Sequence, residues 1–289
     1  MQKNVEFESN LALDELVRLR GSSERPLVFW IGAGVSSWAG IKRWDELAQT
    51  MRSEFLRTES TFEKELSWQW LDQKAFPSLF GHCDKVSPTR YRRILDRELN
   101  QKSPHQPVYD RFLVAMRRLT PCKILTTNAD ELLEQALGLR AIQPSALELV
   151  PDLLSGTGGF VGKLHGSIGD PNSLIFTDYE YAQLLERRPF LNALSRVFQA
   201  AHVVFIGYGL ADDYILNLLN EANNLKTIFG DGPHFACLPW DHTHLPSSVK
   251  TIRYLPEPHK DHRSVIMILE ELGAQRSPGI AFASFEMPG

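Results

Sequence analysis

Apolar residues in this chain fall into two kinds of pattern. The first is short and continuous. Leu27 to Ile31, Ile124 to Thr127, Phe160 to Leu164 and Val203 to Ile206 are runs bounded by Gly, Pro or polar clusters. Runs of that length predict buried strands. His234 to Leu238 and Thr251 to Leu255 read as two last strands. The second pattern is spaced at helical intervals. It predicts helices over Trp44 to Leu56, Phe62 to Leu71, Arg90 to Leu99, Thr177 to Glu186, Phe190 to Ala200, Ile215 to Leu219 and Ser264 to Leu272. Leu11, Leu13, Leu16, Val17 and Leu19 predict an amphipathic helix near the N-terminus. Strands alternating with helices predict an α/β fold with a parallel, doubly wound sheet.

Residues 45–118 carry no strong strand candidate and read as a mostly helical insertion beside the sheet, punctuated at Pro77 and Gly81. Trp68 and Trp70 are expected in its core. The tail after Gly273 is rich in Pro and Gly, and reads as disordered or as cut from a longer chain. It is set apart as residues 276–289.

Composition narrows the function classes. Of 289 residues 43% are hydrophobic, enough for a sizeable core in one large α/β domain or two smaller ones. Lys and Arg number 31 against 35 Asp and Glu, a net charge of −4, so no broad basic face argues for direct nucleic-acid binding. Met1 to Arg20 has acidic residues and no continuous apolar core. It is therefore read as neither a signal peptide nor a membrane span, and a cytoplasmic location is expected. Cys83, Cys122 and Cys237 are scattered, form no metal pair and fit a reducing compartment.

The candidate chemistry lies where the predicted strands end. Leu27 to Ile31 runs into Gly32-Ala33-Gly34, followed by Val35, Ser36 and Ser37. A strand, a glycine turn and a helix start can hold a phosphate through backbone N–H groups and the helix dipole. A plain tight connection would use the same residues. The usual dinucleotide fingerprint has a third glycine where this chain has Ser37. At the next strand end stand Asn128 and Asp130, before a helix beginning near Glu131. They suit simple helix caps and ligand groups equally. His165 follows Phe160 to Leu164 beside Gly166, which sets it apart from the other eight histidines, although a lone histidine is more often structural. Gly207-Tyr208-Gly209 ends the next strand, ahead of Asp212. A parallel doubly wound sheet gathers these four ends along one edge.

Together the stretches Gly32-Ala33-Gly34-Val35-Ser36 with Ala39-Gly40-Ile41, Thr126-Thr127-Asn128-Ala129-Asp130, Lys163-Leu164-His165-Gly166 and Phe205-Ile206-Gly207-Tyr208-Gly209-Leu210-Ala211-Asp212 resemble the sirtuin family. The likeness is greatest to the bacterial defence branch of sirtuin-like NAD hydrolases. It covers about residues 25–275. It implies a Rossmann-like NAD-binding catalytic domain over 1–275, with Asn128 and His165 around the nicotinamide ribose and Asp130 near the nicotinamide amide. It further implies NAD+ contacts from Gly32, Ala33, Gly34, Val35, Ser36, Gly40, Gly207, Tyr208 and Asp212. No cysteine lies between His165 and Gly207, so the zinc module of deacylating sirtuins is missing there and no metal is expected. Lys42-Arg43-Trp44, Thr127 and Tyr208-Gly209 also depart from the deacylase pattern. The resemblance thus implies an NAD+ glycohydrolase acting in antiphage defence in a bacterial cytoplasm. It would be switched on by self-assembly, a nucleotide signal or a partner subunit such as an ATPase or nucleotide-sensing protein. A deacylase and a non-enzymatic NAD or ADP-ribose sensor are the alternatives.

Overall fold

The structure, a computed structural model, describes residues 2–22, 24–100, 106–207, 231–239, 247–254 and 262–274, with side chains from Leu11 onward. Tyr208, Asp212, the helix expected over Ile215 to Leu219 and the tail beyond 275 lie outside the described residues.

Seven strands form one sheet. They are β1 (Leu27–Ile31), β2 (Lys123–Thr126), β3 (Arg140–Ile142), β4 (Phe160–Lys163), β5 (His202–Ile206), β6 (His234–Pro239) and β7 (Val249–Tyr254), in the order β3-β4-β2-β1-β5-β6-β7. Every pairing is parallel. The chain leaves β1 to one side through β2, then returns to pair β5 against β1's other edge, with Phe29 opposite Ile124 on one side and Val204 on the other. Strand order therefore reverses at β1 and β5. In open α/β sheets that reversal opens the crevice where ligands bind, outside the carboxyl ends of the strands.

The alternation of side chains explains why the strands read as continuous apolar runs. Phe29 and Ile31 of β1, with Val204 and Ile206 of β5, enter a core on one face. Val28 and Trp30, with Val203 and Phe205, enter a second core on the other. Both faces are covered, so every position wants an apolar residue. The first core is closed by α1 (Gln2–Ser22), α3 (Trp44–Thr58), α5 (Phe76–Val86), α6 (Pro88–Leu99), α7 (Pro107–Arg117), α8 (Leu132–Leu137) and α12 (Ser264–Ala274). The second is closed by a 3₁₀ turn at Pro144–Leu149, α9 (Val150–Leu153), α10 (Asp178–Glu186) and α11 (Arg188–Ala200).

Within the described residues 44–100 and 106–117, α3, α4 (Lys64–Asp72), α5, α6 and α7 form a helical block and no strand occurs. Buried residues of α3, α5, α6 and α7 join the same apolar core as Phe29 and Ile31 of β1. Two local expectations fail. Pro77 and Gly81 do not break the helix but lie inside α5, Pro77 in its first turn, where its missing N–H costs nothing. Gly81 lies there against α10, since a Cβ would sit 2.7 Å from Asp178 Oδ1. Trp68 is 56% exposed with the Arg52 guanidinium 5.2 Å above its ring, while Trp70 does pack against the core. The first is a surface cation–π contact and not a core residue.

Candidate active site

The site grows from the carboxyl ends of β1, β2, β4 and β5. Gly32 ends β1 and caps α2 (Ala33–Ser37). Its amide donates to Ile206 O at 2.9 Å, and Gly34 N donates to Gly207 O at 2.9 Å, stitching the ends of β1 and β5 together. Gly207 holds φ +62°, a conformation glycine adopts without steric cost. A Cβ on Gly34 would stand 2.8 Å from Gly207 O, so a side chain there meets the next strand's backbone before any ligand. Gly34 is thus a helical residue without positive φ, small because Gly207 is beside it. The expected anion cradle is also largely filled. Val35 N donates to Gly32 O (3.1 Å), so among the amides from Gly32 to Val35 only Ala33 N carries no such bond. Ser37, in place of a third glycine, donates its hydroxyl to Gly34 O at 2.7 Å. Gly40 lies past the far end of α2 with φ +86°, its amide on Ser37 O.

Asn128 is built into this junction by its neighbours. The Thr126 hydroxyl donates to Ile31 O (2.7 Å) and accepts from Asn128 N (3.0 Å). The Asn128 side-chain nitrogen donates to Gly32 O (3.1 Å) and to Ser36 Oγ (2.8 Å). A carbonyl can only accept, so the amide's orientation is fixed. Its Oδ1 is buried without a hydrogen-bond partner, and the residue is only 6% exposed. Asn128 is therefore not a helix cap. Asp130 stands one residue before Glu131, the N-cap of α8, and its Oδ1 accepts from Leu132 N at 3.2 Å. Beneath both, fully buried Lys163 pairs with Glu134 at 2.9 Å and donates to Asp130 O. Burial outweighs Lys163 and holds the Glu134 carboxyl above the usual range.

His165 stands on the adjacent strand end. Thr126 is in register with Lys163, and Leu164 N donates to Thr126 O (2.8 Å), so Asn128 and His165 each lie two residues past a paired position. His165 is 4% exposed and packs against Tyr181 and Trp44, whose indole stacks on Phe176 at 5.1 Å. Burial pushes its pKa down to about 3, so the imidazole is neutral at physiological pH. The contrast with other buried histidines is informative. His202 Nδ1 reaches Pro233 O at 2.9 Å, and His234 Nδ1 accepts from Val203 N at 3.1 Å. Those two serve the backbone, whereas His165 bonds no backbone group through its ring among the described residues.

Sequence reasoning missed Tyr181, Trp44, Thr126 and Lys163. The signal for Tyr181 was the capping box, in which Thr177 Oγ1 accepts from Glu180 N and Glu180 accepts from Thr177 N. It fixes the start of α10 and hence its buried face of Tyr181 and Leu184.

Residues 123–255, which span β2 to β7, match the model of the SIR2-like domain. The chain is 25% identical over 205 residues to Defense-associated sirtuin 2 of Bacillus subtilis, covering 69% of this chain and 19% of that protein. It is 26% identical over 220 residues to NAD(+) hydrolase ThsA of Acinetobacter baumannii (strain 532279), covering 73% of this chain and 42% of that protein. The chain thus spans less than half the length of either curated relative. With a parallel sheet and Asn128 and His165 on neighbouring strand ends, the chain is similar over residues 123–255 to the SIR2-like domain.

Proposed function

We propose that the chain is an NAD+ glycohydrolase, cleaving NAD+ to nicotinamide and ADP-ribose, and that it serves as an antiphage effector by depleting NAD+. The observation that carries this reading is the Asn128 amide, locked by two donated hydrogen bonds with its Oδ1 buried and unpaired. An unsatisfied buried acceptor costs about 1–3 kcal/mol, which a donor from a bound ligand relieves. A ribose hydroxyl or a single attacking water is such a donor. NAD+ brings a positively charged nicotinamide leaving group, and its departure leaves an electron-poor ribose carbon. The task left to the protein is to orient the sugar, exclude bulk water and hold one water.

His165 fits that task with a modified role. A base whose conjugate acid titrates near 3 is weak at neutral pH. It accepts a hydrogen bond from the water or the ribose hydroxyl, and takes the proton only as charge builds on the sugar. The names of the two relatives, an NAD(+) hydrolase and a defence-associated sirtuin, support the same reading. Unregulated NAD+ loss would kill the host, so the proposal includes a trigger: self-assembly, a nucleotide signal or a partner subunit such as an ATPase or nucleotide-sensing protein. It also places the protein in the bacterial cytoplasm.

Folded Asn128→Ala and His165→Ala proteins are expected to lose about 10²-fold or more in nicotinamide release. The assay is run on the chain alone and with its neighbouring gene products. Near-wild-type release in either variant removes that residue from the mechanism. Infected cells carrying the intact system should lose NAD+, and unchanged NAD+ would remove the effector role.

A further inference from the structure

The tyrosine hydroxyl beside His165 has an unusual placement. Tyr181 Oη lies 3.3 Å from His165 Nδ1 and 3.2 Å from Nε2. The two ring nitrogens flank Cε1. An oxygen that close to both cannot lie in the imidazole plane without colliding with a ring carbon. It must sit over the ring face. The rings meet at 83° with centroids 5.2 Å apart, as such a placement requires. Hydrogen bonds to an sp² nitrogen run in the ring plane, so this contact leaves the in-plane donor and acceptor positions of both nitrogens unused.

We infer that Tyr181 is the positioning residue of His165: its hydroxyl rests on the imidazole face and stops the ring from turning, leaving both nitrogen edges for substrate. This rests on the proposed hydrolase reading for its catalytic meaning. The clamp is itself rigidly mounted. Ile175 N donates to His165 O (3.1 Å), and Glu180 accepts from Phe176 N (2.8 Å) and Thr177 N (2.9 Å), so the segment joining His165 to α10 is tied down at both ends. Tyr181 is buried, and Trp44 lies edge-on to the imidazole with centroids 6.0 Å apart. Rotation of the ring by one rotamer would move either nitrogen away from a substrate hydroxyl, and small misplacements of reacting groups are costly in rate.

The test uses Tyr181→Phe, which keeps the ring and removes the hydroxyl, with Tyr181→Met as a second variant should the first fail to fold. Histidine is labelled with ¹⁵N in the whole chain, and the His165 signals are identified by their loss in His165→Gln. The wild type is expected to show sharp His165 ring signals. The variant is expected to show exchange broadening of the ring signals confined to His165. Unchanged His165 ring shifts and line widths in a folded variant would overturn the assignment. Where the wild type cleaves NAD+, kcat of Tyr181→Phe should fall about tenfold with KM within twofold. An unchanged kcat overturns the catalytic meaning of the clamp, while a wild type that never cleaves NAD+ overturns the hydrolase reading and leaves the ring signals to decide the clamp.

Discussion

At the scale of single residues, His165 couples the site to stability. Burial depresses its folded pKa to about 3, below the ~6.5 of an exposed histidine. The unfolded chain therefore binds a proton that the native state rejects. The contribution is fully present above about pH 6.5 and is lost as pH falls towards 3. His165→Gln is expected to flatten the acid side of the stability profile, by up to about 1.4 kcal/mol per pH unit between pH 6 and 4. Urea unfolding of both proteins across that range measures the difference. Equal slopes would mean that the native ring reaches water and is free to protonate. The same burial explains what the sequence could not tell. His165 at a strand end was legible from Phe160 to Leu164 and Gly166. Its low basicity was not, because it comes from Tyr181 and Trp44, which stand 16 residues after it and 121 before it in the chain.

At the scale of elements, β4 and α8 are joined by a buried charge pair under the Asn128 loop. Lys163 and Glu134 are 2.9 Å apart with neither exposed, and Lys163 also holds Asp130 O. Removing one member of a buried pair leaves the other uncompensated, at about 3–5 kcal/mol. Lys163→Met and Glu134→Leu should each cost about that much, and the double variant clearly less than their sum. Denaturant unfolding of all three decides. Additive losses would show two independent groups and no functioning pair. Elements themselves were legible unevenly, and the reason is burial. β1 and β5 are covered on both faces and announce themselves as Leu27 to Ile31 and Val203 to Ile206. β3, at the sheet edge, buries only Ile142 of its three residues and carried no apolar run to read. α5 was obscured by Pro77 and Gly81, residues that break helices in general and here fit the first turn and a tight crossing against α10.

At the scale of the whole molecule, the two cores on either side of the sheet converge at Trp44, which packs against both. That convergence sits beside His165, so the site rests on the body of the fold and not on a detachable module. The three cysteines are buried and unbridged, and burial pushes the thiols of Cys122 and Cys237 up to about 11 and about 12, and Cys83 higher still. Zinc takes thiolates, and among the described residues no group of three or more His, Cys, Asp or Glu is set to hold a metal. Triggered protein should consume NAD+ with no acylated peptide present, yield ADP-ribose or its cyclised form, and keep its rate and unfolding temperature in a zinc chelator. Mass spectrometry separates those products from O-acyl-ADP-ribose. Nicotinamide release that requires an acylated peptide would replace the hydrolase with a deacylase, and a rate that collapses in chelator would require a metal site among residues beyond those described.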